Sequence, residues 1–257
     1  MRDSETRPAA ATPRLIAVVP VYNHAVPVQQ VVAHLRAVNL PVILVDDGSE
    51  PQCAAVLQRL AAQDSQNVTV LRLPVNQGKG GAMMAGLQAA ARAGASHALQ
   101  IDADGQHDCA DLPRFIQAAA QHPEHFICGC PVYDASVPKG RLYGRYATHI
   151  WVWINTLSLA IKDSMCGYRV YPLAPTVGCI NAARLGRRMD FDVEIAVRLV
   201  WAGVPVLNMP TRVHYPQDGV SHFKVLRDNA LISWMHTRLF FGMLLRLPLL
   251  LWRKGQR

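Results

Sequence analysis

LQIDADGQHD, residues 99–108, is the stretch that decides the fold. An apolar run stops at Ile101. Two carboxylates follow, Asp102 and Asp104, with one small residue between them. Gly105, Gln106 and His107 come next. Two acids this close repel each other unless a cation compensates them. At the end of a strand, residues i and i+2 face the same side. Such a pair suits a hard divalent cation, Mg2+ or Mn2+, that also takes phosphate oxygens. Two solvated turn acids are the plainer alternative.

The flanking chain repeats the pattern. LIAVVPVY (15–22) is an apolar, β-branched run that ends in Pro20, Tyr22 and Asn23. PVILVDDG (41–48) is a second, ending in Asp46 and Asp47. VTVLRL (68–73) leads into NQGKGG (76–81), and HALQID (97–102) is the fourth. Helical spacing fills the intervals at 27–39, 51–63, 80–93 and 112–121. Strands alternating with helices at short spacing argue a parallel, doubly wound sheet. Ligands bind such sheets at the carboxyl ends of the strands, and the polar residues lie there.

Each polar cluster has a bland reading beside the functional one. Ser49 reads as the N-cap of the second helix, while Asp46 and Asp47 can also serve a base or a ribose. The glycines after Gln77 open an Ala-rich helix, whose free N–H groups and Lys79 suit phosphate; close packing explains the glycines equally well. The Walker A spacing is missing.

After residue 135 the pattern changes. Residues 139–160 read as a basic, aromatic helix carrying Arg141 and Arg145. A loop follows at 163–169, then a helix near 192–201 and a short strand at 204–209. His214 to Phe223 reads as a polar loop, in which Ser221 and His222 beside Arg212 suit a phosphate.

The chain of 257 residues is 51% hydrophobic and only 17% charged, with net charge +8. From Ser221 onward there are seven basic residues against the single acid Asp228. The same segment holds LFFGMLLRLPLLLW (239–252). Basic, leucine-rich sequence with tryptophan points to an anionic membrane surface rather than to nucleic acid. Fourteen residues interrupted by Arg246 and Pro248 are too few to span a bilayer, so an interfacial or re-entrant helix is expected. The six cysteines lack metal or redox spacing and read as reduced, mostly buried thiols. The polar N-terminus reads as no signal peptide.

VVPVYN (18–23), VDDGS (45–49), NQGKGGA (76–82) and DADGQH (102–107), in this order and spacing, resemble the family 2 glycosyltransferases. DSMCGYRVY (163–171) and FDVEIAVRL (191–199) are similar to later motifs of the dolichyl- and polyprenyl-phosphate sugar transferase branch. The likeness runs over residues 13–225. It implies a GT-A fold, a Rossmann-like, mostly parallel sheet flanked by helices. A catalytic domain over 1–225 and a membrane-associating helical tail over 226–257 are expected. The implied activity is inverting, metal-dependent sugar transfer from a UDP- or GDP-sugar to a lipid-linked acceptor.

The resemblance also implies roles. Pro20, Tyr22 and Asn23 would line the base pocket. Asp47 would contact base or ribose, supported by Asp46, with Lys79 near the donor. Asp102 would hold the ribose–diphosphate region. Asp104 would ligate Mg2+ or Mn2+, with Gln106 as a further ligand. Gly167, Tyr168 and Arg169 would meet the sugar or acceptor phosphate, joined there by Arg141, Arg145, Arg212, Ser221 and His222. Asp192 and Glu194 would lie near the acceptor. A polyprenyl phosphate is already anionic and needs no base; a hydroxyl acceptor needs a carboxylate, for which Asp192 and Glu194 are the candidates. The expected place of work is the cytoplasmic face of the inner membrane, as a peripheral or monotopic protein. A homo-oligomer or a membrane-protein partner stays open. Nucleic acid is not expected as a partner. A nucleotidyltransferase and a catalytically silent sugar-binding protein remain as alternatives.

Overall fold

The computed structural model describes residues 13–132, 139–213 and 225–256. Seven strands form one sheet: β1 (Leu15–Val21), β2 (Val42–Asp46), β3 (Val68–Arg72), β4 (His97–Gln100), β5 (Phe126–Val132), β6 (Arg169–Pro172) and β7 (Val206–Arg212). Their spatial order is β3-β2-β1-β4-β6-β5-β7. Strands β1 to β4 are mutually parallel where they pair. Strand β6 runs antiparallel to both β4 and β5, and β7 is parallel to β5. The sheet is therefore mixed, with a Rossmann-like half of four strands and one reversed strand beside it.

Among the described residues the α-helices are α1 (Pro27–Ala37), α2 (Pro51–Gln63), α3 (Lys79–Arg92), α4 (Leu112–Gln121), α5 (Lys139–Thr156), α6 (Leu173–Ala182), α7 (Phe191–Trp201) and α8 (Val225–Gly255). Proline opens α1 and α2, where its missing N–H costs nothing. Strands β1 and β2 are apolar up to the carboxyl end of β2 because helices cover both faces. On one face Val18 and Val45 pack with Met83, Leu87 and Phe191; on the other Val19 and Leu44 pack with Leu35, Phe115 and Tyr168. Gly86 lets α3 press onto the sheet, since a Cβ there would overlap Val18 and Val45.

Several sequence expectations change. Strand β4 ends at Gln100, so Asp102 and Asp104 sit in the turn beyond it and do not share a strand face. Ser49 is not a helix cap. Glu50 holds that position in α2, and the Ser49 hydroxyl instead accepts from the Asn23 N–H at 3.1 Å. The polar loop at 214–223 lies outside the described residues, and with it Ser221 and His222. The Arg141 side chain lies outside them too.

The tail is one helix, and it is less detachable than its composition implies. Three of its arginines turn inward onto α7. Arg238 meets Glu194 Oε2 at 3.1 Å, Arg246 lies over the Trp201 ring at 4.7 Å, and Arg253 donates to the Trp201 carbonyl at 2.7 Å. Its opposite face is apolar and open: Trp234, Phe241, Leu245, Leu249 and Trp252 are exposed at helical spacing. From Asn229 to Trp252 no exposed residue carries a charge. Helix α5 packs against α8 and adds exposed Tyr146, Ile150, Trp151 and Ile154. The Trp151 and Phe240 rings, 6.3 Å apart, join the two stripes. Among the described residues no helix is long and apolar enough to cross a membrane.

Candidate active site

The strand ends of β1, β2 and β4 meet the starts of α3 and α7 over one crevice. At its floor lies Lys79, the first residue of α3. Its ammonium is 2.8 Å from Asp102 Oδ2 and 2.8 Å from Asp192 Oδ2. The cation that compensates Asp102 is thus already in the chain. Burial pushes the Asp102 carboxyl up, but Lys79 and then His107, whose Nε2 is 3.7 Å away, outweigh it and hold the carboxyl well below its ordinary range. Burial works against the Lys79 charge as well, and the two carboxylates more than offset it.

Asp104 has no such partner. Its Oδ1 accepts from the Gln106 N–H at 3.0 Å. Burial first, and then the neighbouring Asp102 charge, raise its carboxyl above the usual value. Asp102 Oδ1 is buried without a hydrogen-bond partner. Asp104 and the unpartnered Asp102 Oδ1 are hard oxygen donors of the kind a divalent cation takes. Among the described residues no cluster of three His, Cys, Asp or Glu can hold an ion by itself. A divalent cation here would draw its remaining ligands from water or a bound molecule.

A buried relay stands behind Asp192. Its Oδ1 accepts from Gln100 Nε2 at 3.2 Å, and Gln100 Oε1 accepts from the Tyr171 hydroxyl at 2.7 Å. Arg169 closes the relay. It donates to the carbonyls of Cys166, Ser164 and Asp192, each at 2.6 Å. Arg169 is fully buried and cannot meet a sugar or phosphate; it fixes the start of α7. Tyr168 is also core, stacked on Phe115 at 4.1 Å. Gly167 does reach the site, since a Cβ there would overlap the Asp102 carboxylate.

Glu194 is separated from Asp192. Residues i and i+2 of a helix do not share a face. Glu194 is fully buried and accepts from Arg198, Arg238 and the Gly186 N–H. It ties α7 to α8 and has no opening to a substrate. Arg145 is likewise engaged: it clasps Asp163 with two bonds of 2.6 and 2.7 Å. Asp163 further accepts the N–H groups of Met165 and Cys166.

The glycine loop packs more than it cradles. Asp47 accepts from the N–H groups of Gln77 and Gly78 at 2.7 and 2.8 Å, and the Gly81 N–H donates to the Arg187 carbonyl at 2.9 Å. A Cβ at Gly80 would meet Phe191 Cβ at 2.5 Å and the Gly186 carbonyl at 2.7 Å. Asp46 pairs with Arg72 and accepts from the Ser49 N–H. Asn23, at φ 59°, accepts the N–H of Glu50, the residue that precedes α2, at 2.8 Å. Pro20, Tyr22 and Gln106 are half-buried, and Arg212 ends β7 exposed. All six cysteines are free.

Sequence reasoning missed Gln100 and Tyr171. Their signal was a polar group inside strands that are otherwise apolar and buried.

The model of glycosyl transferase family 2 matches residues 16–176. The polyprenol monophosphomannose synthase of Mycolicibacterium smegmatis is 26% identical over 82% of this chain and 81% of its own. The undecaprenyl-phosphate mannosyltransferase of Micrococcus luteus is 25% identical over 77% and 82%. Among solved structures, S. aureus TarS in complex with UDP-GlcNAc superposes with a TM-score of 0.56 at 14% identity, over 81% of this chain and 60% of that one.

Proposed function

Because the chain belongs to glycosyl transferase family 2, we propose that it moves a sugar from a UDP- or GDP-sugar to a polyprenyl phosphate at a membrane surface. The observation that carries this reading is the site where Asp102 and Asp192 meet Lys79 next to Asp104, in a protein whose α5 and α8 expose an apolar surface with no exposed charge from Asn229 to Trp252. The names of the similar proteins support the acceptor class.

A divalent cation held by Asp104 and Asp102, with Gln106 beside them, would neutralise charge growing on the leaving diphosphate. The chain's own residues do the rest. Pro20, Tyr22 and Asn23 flank the place for the base, and Asp47 holds the loop after β3 against it. Gly167 and Lys79 fix the Asp102 carboxylate. An acceptor phosphate oxygen attacks the anomeric carbon opposite the diphosphate, the bond to the diphosphate breaks, and the configuration inverts. The phosphate is already ionised, so no base is needed. This suits the site, because Asp192 is bound to Lys79 and Glu194 is sealed off.

Helices α5 and α8 would lie in the bilayer interface of a peripheral or monotopic enzyme, which we assign to the cytoplasmic face. A hydroxyl acceptor on a lipid-linked glycan is the second reading; Asp192 would then have to leave Lys79 to take the proton. The test is release of nucleoside diphosphate from a panel of UDP- and GDP-sugars with Mg2+ or Mn2+. Release that rises only when a short polyprenyl phosphate is added supports the proposal. Release that responds only to a hydroxyl acceptor overturns it.

A further inference from the structure

We infer that Lys79 is a positioning residue that sets the charge of the metal site, an internal counter-cation shared by Asp102 and Asp192. The inference rests on the proposed role of Asp102 and Asp104 as metal ligands. The geometry is specific. Lys79 Nζ stands 2.8 Å from an oxygen of each carboxylate, and its side chain is 16% exposed. The three acids Asp102, Asp104 and Asp192 with Lys79 carry a formal charge of −2, which one divalent cation balances. Lys79 also takes Asp102 Oδ2, leaving Oδ1 unpartnered and buried. One oxygen of Asp102 is therefore held by the chain and the other is left without a partner. The same ammonium ties the turn after β4 to the start of α7. It thereby couples Asp102 to Asp192.

A merely structural lysine would leave the affinity of the resting protein for a metal ion unchanged. A counter-cation changes it with a definite sign. Charges a few ångströms apart in a partly buried site interact strongly enough that shifts of about tenfold or more are readable. The experiment measures Mn2+ binding to the full chain by electron paramagnetic resonance, without sugar donor, in wild type, Lys79→Met, Asp192→Asn and the double variant. Removing the ammonium alone leaves −3 and should tighten binding about tenfold or more. Removing only the Asp192 charge leaves −1 and should weaken it by a similar factor. The double variant restores −2 and should return to within about threefold of wild type.

If Lys79→Met does not fold, as judged by circular dichroism, the other two variants carry the test. Asp192→Asn weaker than wild type, with the double variant restored, supports the inference. Equal affinities, or a double variant that fails to return, overturn it. Absence of Mn2+ binding in wild type, even with UDP or GDP added, overturns the metal reading and this inference together. Binding in wild type without the expected order overturns this inference alone.

Discussion

Gly167 rests directly on the carboxylate of Asp102: a Cβ at 167 would overlap both of its oxygens and its carboxyl carbon. The loop before β6 thus forms the wall that holds Asp102 against Lys79. Gly167→Ala must push the carboxylate away or move the loop. The expected result is a fall in kcat of about tenfold or more, on the scale set by small misplacements of reacting groups. Gly178→Ala serves as the control. Its Cβ meets nothing within 4 Å in α6, so it should leave kcat intact and stabilise by about 0.5–1 kcal/mol. Steady-state kinetics and thermal melts check both.

Asp192 and Glu194 should separate in opposite directions. Glu194 is a fully buried acceptor for Arg198 and Arg238. Glu194→Gln leaves those arginines without their counter-charge and should destabilise by roughly 3 kcal/mol, with kcat in the surviving folded protein within a few-fold of wild type. Asp192→Asn, at the crevice, should lower kcat with a smaller loss of melting temperature. Chemical denaturation and kinetics on the same preparations distinguish them.

That pair also shows how much was legible in the chain. The strand ends around Tyr22, Asp47 and Asp102 follow from apolar runs that stop at polar residues, and the sheet places them together as expected. What sequence could not reveal is which polar residue faces inward. Arg169 looks like a phosphate ligand, yet it opens a four-residue strand with both faces covered, and burial turns it into a structural donor. Strand β5, FICGCPV, and helix α6, LAPTVGCINA, carry Gly and Pro that blur their period. The basic residues of the tail suggest an anionic surface, but three of its arginines serve α7, a partner distant in sequence. Of the two acids of LQIDADGQHD, Asp102 is compensated by Lys79 from the start of α3.

Stability should fall in acid through Asp163. Burial pushes its carboxyl up, but His149 and Arg145 hold it well below the usual range. A carboxyl depressed in the folded state contributes stability that is fully present above the unfolded value of about 4. The contribution is lost as pH falls below that value toward the folded one. Melting temperature between pH 6 and pH 3 should therefore drop less steeply in Asp163→Asn than in wild type, from a lower starting point. Parallel slopes would remove Asp163 from this role.

The apolar face of α8 should bind lipid independently of its arginines. Replacing Trp234, Phe241 and Leu245 with serine removes exposed apolar area and should reduce association with anionic vesicles by at least about tenfold, leaving the melting temperature unchanged. Arg246→Ala should do the reverse, lowering stability through the loss of its place over Trp201. Co-sedimentation with vesicles and light scattering check both. Wild type that ignores vesicles but self-associates through this face would assign it to a protein interface.

The most direct measurement of the central claim is mass spectrometry of the lipid product. Purified protein is incubated with polyprenyl phosphate, a panel of UDP- and GDP-sugars and Mn2+. The expected product is polyprenyl phosphate increased by one sugar residue, formed with one donor class and lost in Asp104→Asn. A donor panel that yields no glycosylated polyprenyl phosphate while the sugar appears on a hydroxyl acceptor, or a product carrying the nucleotide instead of the sugar, would contradict the account.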